Sequence, residues 1–418
     1  MINEIYPFAY HRYLALPVFA PVIDEFDDWL IKQGYKRYSR IIYINEARRI
    51  DAYFNLELNR SSLDEVTLDD FHTCWLFFHS RHIRITRTIL NIKMFLQWKE
   101  VLPPDPEIIH QFSKYLNPYK DYLIEVRGLT NKTINNHIAT VTQFLEHSEC
   151  GANVQYFENL TASDVEVFVC HAGKKLKRES LQHVIAHLRS FLRYTSHTWG
   201  VPYGLDIQID TPRVYRLEQI PCALSWETVC ALLESIDQTT PIGKRDYTIF
   251  HLMATYGLRC SDIVALTLDN IHWHRNEISI SQRKTGKILL LPLTDAVGSV
   301  LQHYLQHGRP DSVYRQLFLR SRAPEGPLHR NAVTRSFHAW VERSKLDIPR
   351  HGAHCLRHSY AAHLLHLGNS VKVIGDLLGH QTVESTCVYL RIALEDLREV
   401  ALSMPQACSE QPAQEVLS

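Results

Sequence analysis

No run in this 418-residue chain approaches the ~18 consecutive apolar residues that a membrane-spanning helix needs, so none is expected. The amino terminus lacks the pattern of a secretory signal, and the nine cysteines are odd in number and scattered, with no CxxC pair. A disulfide scaffold is thereby excluded, and the expectation is a cytoplasmic protein with reduced thiols. Net charge is also missing: 45 Lys and Arg balance 45 Asp and Glu. Such a balance argues at first against a nucleic-acid partner, because phosphate binding draws on clustered cations.

The distribution of charge changes that conclusion. Lys and Arg number 13 against 13 acids over residues 1–104, and 10 against 12 over 105–210. Over 211–391 they number 21 against 15, and from 392 onward 1 against 5. Many of the 24 histidines lie in the same basic stretch, where partial protonation adds to the potential.

Residues 22–101 and 117–204 read as two versions of one helical unit. FDDWLIKQGY, a run from Ala47 to Phe54, VTLDDF and ILNIKMFLQW are echoed in order by YKDYLIEVRGL, TINNHIATVTQFLEH, LTASDVEVFV and VIAHLRSFLRYT. Thr67 with Asp70, and Thr161 with Asp164, have capping-box spacing and predict a helix start in each unit. Ile134, Ile138, Val141 and Leu145 recur at helical period and predict an apolar stripe. Pro103, Pro104 and Pro106 separate the units, because proline cannot continue a helix. A tandem duplication is the expectation, with chance similarity of two bundles as the alternative.

A second linker spans Pro202 to Pro221, after which Ser225 caps WETVCALLESI. The chain beyond that helix is mostly helical in pattern, except for β-branched and aliphatic runs at 277–281 and 288–293 flanking RKTGK. That hairpin places Lys284 at an exposed tip. The expected fold is therefore mainly α. It has helical bundles over 1–104 and 105–205, a mixed α/β domain with a small antiparallel hairpin over 206–404, and a disordered tail at 405–418.

The domain at 206–404 carries one ordered set: Arg259 in GLRCSD, Lys284 in RKTGK, His354 and Arg357 in HCLRH, His380 in LLGH, and Tyr389 nine positions later. These supply cations, proton-transfer groups and a phenol, which is what metal-free phosphodiester cleavage by a tyrosine nucleophile requires. Arg259 is expected near a helix amino terminus close to Ser261, with Asp262 holding the guanidinium in place. His354, Arg357 and His358 fall at i, i+3 and i+4, so one helix face offers an imidazole and a guanidinium to a phosphate. A metal site built on His351, His354, Cys355 and His358 is the competing possibility, but no HExxH or paired Cys/His pattern completes it. Tyr389 and STCVYLR are expected on a helix after Gly379 ends the preceding one. Lys174, Lys175, Lys177 and Arg178 read as a solvated helix face, with phosphate contact as the alternative.

Over about 106–404 these motifs resemble the tyrosine recombinase (phage integrase) family. The resemblance identifies Arg259 as the first arginine, Asp262 as its acidic support, and Lys284 as the hairpin lysine, with Lys287 as fallback. His354 and Arg357 match the HxxR pair, His380 the LGH histidine, and Tyr389 the nucleophile. It implies a core-binding helical bundle at 105–205, a 3'-phosphotyrosyl intermediate, and no metal, ATP or other cofactor. Implied partners are duplex DNA carrying specific sites, three further copies of the chain in a tetramer, and an accessory recombinase. Residues 392–404 resemble the helix that such proteins dock onto a neighbour. Residues 1–104 depart from the common plan. A type IB topoisomerase and a non-catalytic DNA-binding protein are the rival implications.

Overall fold

The computed structural model describes residues 2–105, 111–148, 155–214, 222–282, 286–348 and 352–391. Lys284, the stretch 392–404 and the tail 405–418 lie outside the described residues. The chain divides into two compact units, one formed by Met1–Pro103 together with Gln219–Ser418, the other by Pro104–Glu218.

In the first unit the amino-terminal bundle is built on Ile23–Lys32, Arg37–Leu56, Leu68–Ser80 and Thr86–Trp98. Phe19, Phe26, Phe54 and Phe95 fill its centre with Ile44, Ala47 and Ile50. Leu68–Ser80 starts where the sequence expects: Asp70 Oδ2 accepts from Thr67 N at 2.8 Å, and Asp70 N donates to Thr67 Oγ1 at 3.3 Å. Asp51, fully buried, accepts from Val18 N at 3.0 Å and Phe19 N at 2.7 Å, so its carboxylate anchors the segment entering the bundle.

The second unit repeats the order with Ser113–Glu125, Asn131–His147, Ala162–Gly173 and Arg178–Thr198. Its third helix is again closed by a capping box, from Thr161 and Asp164. Ile134, Val141 and Leu145 are buried and Ile138 is partly so, giving the expected stripe. The core is not wholly apolar. The rings of His137 and His187 lie 4.2 Å apart, with Tyr119 OH 3.0 Å from His137 Nδ1 and Thr140 Oγ1 3.0 Å from His187 Nδ1.

The carboxy-terminal part of the first unit wraps around Pro241–Tyr256, a helix buried along most of its length. Pro241 occupies its first turn and Thr240 Oγ1 accepts from Gly243 N at 3.0 Å, so no buried donor is stranded there. Trp226–Glu234, Asp295–His307, Arg330–Ser344 and His354–His366 pack around it, the first capped by Ser225. An antiparallel sheet covers one end in the order β1 (Ile271–His272), β2 (Glu277–Ser281) and β3 (Ile288–Pro292). Ile278 pairs with Leu291 and Ile280 with Leu289, so alternate residues of β2 face the core. The short β1 has no signal in its two residues. It forms because Asn276, at φ 51°, turns the chain back onto it.

The paired histidines generate a pH prediction. Burial, then the neighbouring His187 charge, pushes His137 down from 6.5 to about 4, and burial also lowers His187. The unfolded chain takes up these protons near pH 6.5, whereas the folded bundle resists them. Stability is therefore complete above pH 6.5 and is lost as pH falls toward about 4. Hydrogen-exchange protection of Asn131–His147 should fall across that window, after correction for intrinsic rates, while that of Arg37–Leu56 does not follow it.

Candidate active site

Pro241–Tyr256 ends at Gly257, whose φ of 61° turns the chain sharply inward. A Cβ here would meet Leu378 Cδ2 and Tyr360 Cδ1, each at 2.6 Å, so only glycine fits. Two residues on, Arg259 caps Cys260–Ile263 in an extended conformation. That helix starts at Cys260, next to the expected Ser261, but is a single turn of four residues. The expected contribution of a helix terminus to anion binding is correspondingly withdrawn, because the aligned peptide dipoles are too few. Arg259 instead lies with Nη1 3.7 Å from Asp262 Oδ2, and that nitrogen is buried without a hydrogen-bond partner among the described residues. Asp262 is 2% exposed and accepts from Ser261 Oγ at 3.2 Å.

His354–His366 carries Arg357 inward rather than onto an open face. Arg357 is 2% exposed; its Nη1 donates to Gly257 O at 2.6 Å, and its Nη2 donates to Leu378 O at 2.9 Å and lies 3.0 Å from His380 Nε2. Leu378 O is presented because Val371–Leu378 closes on Gly379 at φ 64°. The same carbonyl accepts from Gln282 Nε2 at 3.1 Å, and a Cβ on residue 379 would lie 2.1 Å from that nitrogen. Gln282 follows β2, and Gly286 N donates to its carbonyl at 2.8 Å. The hairpin is thus tied to the cradle of Arg357. Burial, then the Arg259 charge, lowers Arg357 to about 10, which leaves it a cation at neutral pH. Two like charges felt by one another in a desolvated site favour an anion between them.

His380 sits between two partners, with Nδ1 2.7 Å from Thr386 Oγ1. A guanidinium only donates, so Nε2 accepts from Arg357, and the network assigns the His380 proton to Nδ1. Tyr389 stands on a 3-10 turn, Val388–Arg391, after the single turn Glu384–Cys387, rather than on one continuous helix. Its ring lies parallel to that of His380, with 6.3 Å between centroids and 9° between planes. The phenol is not open to solvent as an attacking group requires. Tyr389 is 3% exposed, and its hydroxyl lies 3.2 Å from His358 Nδ1. Burial raises its pKa while the Arg357 and Arg259 charges pull the other way, and the net shift is upward.

Arg259, Asp262, Arg357, His380 and Tyr389 are therefore brought together. His354 lies exposed in the first turn of its helix, with its ring 4.7 Å from that of His358. Lys284 and His351 are outside the described residues. Among the described residues no group of three or more His, Cys, Asp or Glu is placed to hold a metal. Cys355 is turned into the core, where burial pushes its thiol up to about 12. Gln282, His358 and Thr386 are additions to the expected set. Only His358 carries a signal, as the i+4 neighbour of His354, and its contact with Tyr389 spans 31 positions.

This geometry has two testable consequences. Gly257→Ala places a methyl group against Leu378 and Tyr360 at positive φ and should lower stability by about 2 kcal/mol or more, read from denaturant midpoints. His358 is lowered to about 4 by burial, then by His354 and Arg357, and is neutral near pH 7. Replacing it with Phe should release the phenol. Tyr389 iodination or nitration, measured by mass spectrometry, should rise several-fold in His358→Phe; an unchanged rate would show that the contact does not hold the ring.

Comparison with known proteins gives a consistent result. The family described as "Phage integrase family" matches residues 224–395, and "Phage integrase, N-terminal SAM-like domain" matches 116–198. The integrase/recombinase y4rA of Sinorhizobium fredii (strain NBRC 101917 / NGR234) is 33% identical over 322 residues, covering 75% of this chain and 77% of the relative. Tyrosine recombinase XerD of Listeria monocytogenes serotype 4b (strain F2365) is 29% identical over 289 residues, covering 68% of this chain and 96% of that one. Among solved structures, a lambda integrase tetramer bound to a Holliday junction aligns with TM-score 0.54 and 16% identity, covering 73% of this chain and 86% of that chain. XerH bound to palindromic difH substrate aligns with TM-score 0.54 and 17% identity, covering 74% and 93%. The fold is that of these enzymes, and the chain belongs to the phage integrase family of tyrosine recombinases.

Proposed function

We propose that this recombinase cleaves and rejoins duplex DNA at specific sites, with Tyr389 as the nucleophile and integration or excision of a mobile element as the outcome. The observation that carries it is the convergence of two guanidiniums, Arg259 and Arg357, beside His380 and the Tyr389 hydroxyl at the end of one buried helix. In this reading the scissile phosphate lies between Arg259 and Arg357, where fixed cations offset the charge of the pentacoordinate transition state. Nη1 of Arg259 has no hydrogen-bond partner among the described residues and is suited to a phosphate oxygen. Asp262 positions it.

The phenol oxygen forms a bond to phosphorus as the P–O5' bond breaks, and the 5'-oxygen leaves as a hydroxyl. Its proton comes from Lys284, with Lys287 as the fallback. The phenol proton passes to a base, for which His354 is the residue the motif implies and His358 the one in contact. Because Tyr389 is covered and paired with His358, its ring leaves this position before attack. His380 can give a hydrogen bond to phosphate from Nε2 only after exchanging the bond it now accepts from Arg357. Strand exchange returns the phosphoryl group to a 5'-hydroxyl, so bond energy is conserved and no ATP is needed.

Residues 105–205 are assigned to DNA core binding, 206–404 to catalysis and 1–104 to an accessory role. The working assembly is a homotetramer on two DNA sites, and a Holliday-junction complex among the fold neighbours supports that arrangement.

A nicked suicide duplex carrying the chain's own recombination site provides the test. The wild-type chain and Tyr360→Phe should form a covalent adduct that EDTA does not suppress, and Tyr389→Phe should form none. Arg357→Ala should slow adduct formation by roughly 10²–10³-fold. An adduct that persists in Tyr389→Phe would overturn the assignment.

A further inference from the structure

The amino-terminal bundle, which neither family match covers, is electrically neutral as a whole but sharply divided. Residues 1–70 hold eight Lys and Arg against twelve Asp and Glu, whereas residues 71–99 hold five Lys and Arg and no acid. The basic residues concentrate at one turn, between Leu68–Ser80 and Thr86–Trp98, where Arg81, His82, Arg84 and Arg87 are all exposed. Among the other cations of this bundle, Arg40 pairs with Asp27, Arg60 with Asp70, and Lys99 with Glu25. Among the described residues none of Arg81, Arg84 and Arg87 is paired with a carboxylate.

The turn is also well anchored. His82 N and Ile83 N donate to His79 O and Phe78 O, both at 3.0 Å, and Ile85 is 2% exposed. Arg81 lies 3.6 Å over the Phe77 ring, and Arg87 Nη2 donates to Tyr35 OH at 3.5 Å. Their guanidiniums are thereby oriented before any partner arrives, which reduces the entropy lost on binding. The second bundle presents the same feature at the same topological place. Lys174, Lys175, Lys177 and Arg178, all exposed, link its third and fourth helices, again after a capping-box helix.

From these observations we infer that the turn 79–87 is a second DNA-contact surface, binding the phosphate backbone of duplex DNA outside the catalytic site. Arginines free of carboxylates match phosphate geometry better than they match a diffuse acidic surface. The absence of any acid over 71–99 removes like-charge repulsion from a polyanion. Contacts of this kind position the chain without reading bases. The inference rests on the assignment of the chain as a DNA recombinase.

The full chain is titrated onto a fluorescein-labelled random-sequence duplex over a series of KCl concentrations, by anisotropy. Arg81→Gln/Arg84→Gln/Arg87→Gln should weaken binding roughly tenfold or more at moderate salt and reduce the slope of log K against log salt by up to about 3. The charge-matched control Arg12→Gln/Arg37→Gln/Arg48→Gln, also at exposed positions, should leave the slope unchanged. Thermal unfolding confirms that each variant is folded. Should the triple variant fail to fold, Arg84→Glu carries the test, with an expected slope decrease of about 1 or more. Equal loss in both triple variants would reduce the effect to bulk charge, and no loss in either would leave an acidic protein surface as the partner class. Either result overturns the inference while leaving the recombinase assignment in place. A wild-type chain that binds neither this duplex nor one carrying its own recombination site would overturn both the inference and the proposed function.

Discussion

A buried guanidinium organises this site. Arg357 can be 2% exposed only because Gly257 O, Leu378 O and His380 Nε2 accept its protons; an unpaired cation at that depth would cost several kcal/mol. Each acceptor sets a demand on the surrounding chain. Gly257 must take positive φ, Gly379 must end its helix in the same conformation, and His380 must carry its proton on the far nitrogen. Gln282 shares Leu378 O, so the sheet joins the same cradle. One side chain thus ties the ends of three helices and a hairpin to a common point.

That arrangement fixes cations but keeps the phenol covered. Tyr389 rests against His358 and parallel to His380, buried and protonated, with two positive charges moderating the effect of its burial. In the proposed reaction the protonated phenol is inert toward a phosphodiester, and displacement of its short 3-10 turn would be the step that frees it. The segment bearing it belongs to a small apolar cluster of Ala361, Ile374 and Leu378 rather than to the main core, so its displacement disrupts few buried contacts.

Legibility in the sequence tracked locality. The capping boxes at Thr67 and Thr161, the apolar stripe from Ile134 and the strands around the hairpin are set by neighbours a few positions apart, and the structure has them. The third strand was hidden because two residues carry no period and Asn276 had to be seen at positive φ. The helix expected through STCVYLR is instead the turn Glu384–Cys387 followed by the 3-10 turn Val388–Arg391, where the Tyr389 ring meets those of His358 and His380, contacts that local propensity does not encode. Lys284 stands outside the described residues.

By itself the sequence determined the helix starts after Thr67, Thr161 and Ser225, the pairing of the two hairpin strands, and that an ordered set of cations, histidines and a tyrosine marks the phage integrase family. It could do so because caps, periods and motif order are properties of short spacings. Only the tertiary structure decided that Gln282, His358 and Thr386 complete the cradle, that Arg357 is buried rather than displayed, and that the Tyr389 hydroxyl is covered. Those facts depend on contacts 96 and 31 positions apart, and on desolvation, which no local pattern encodes.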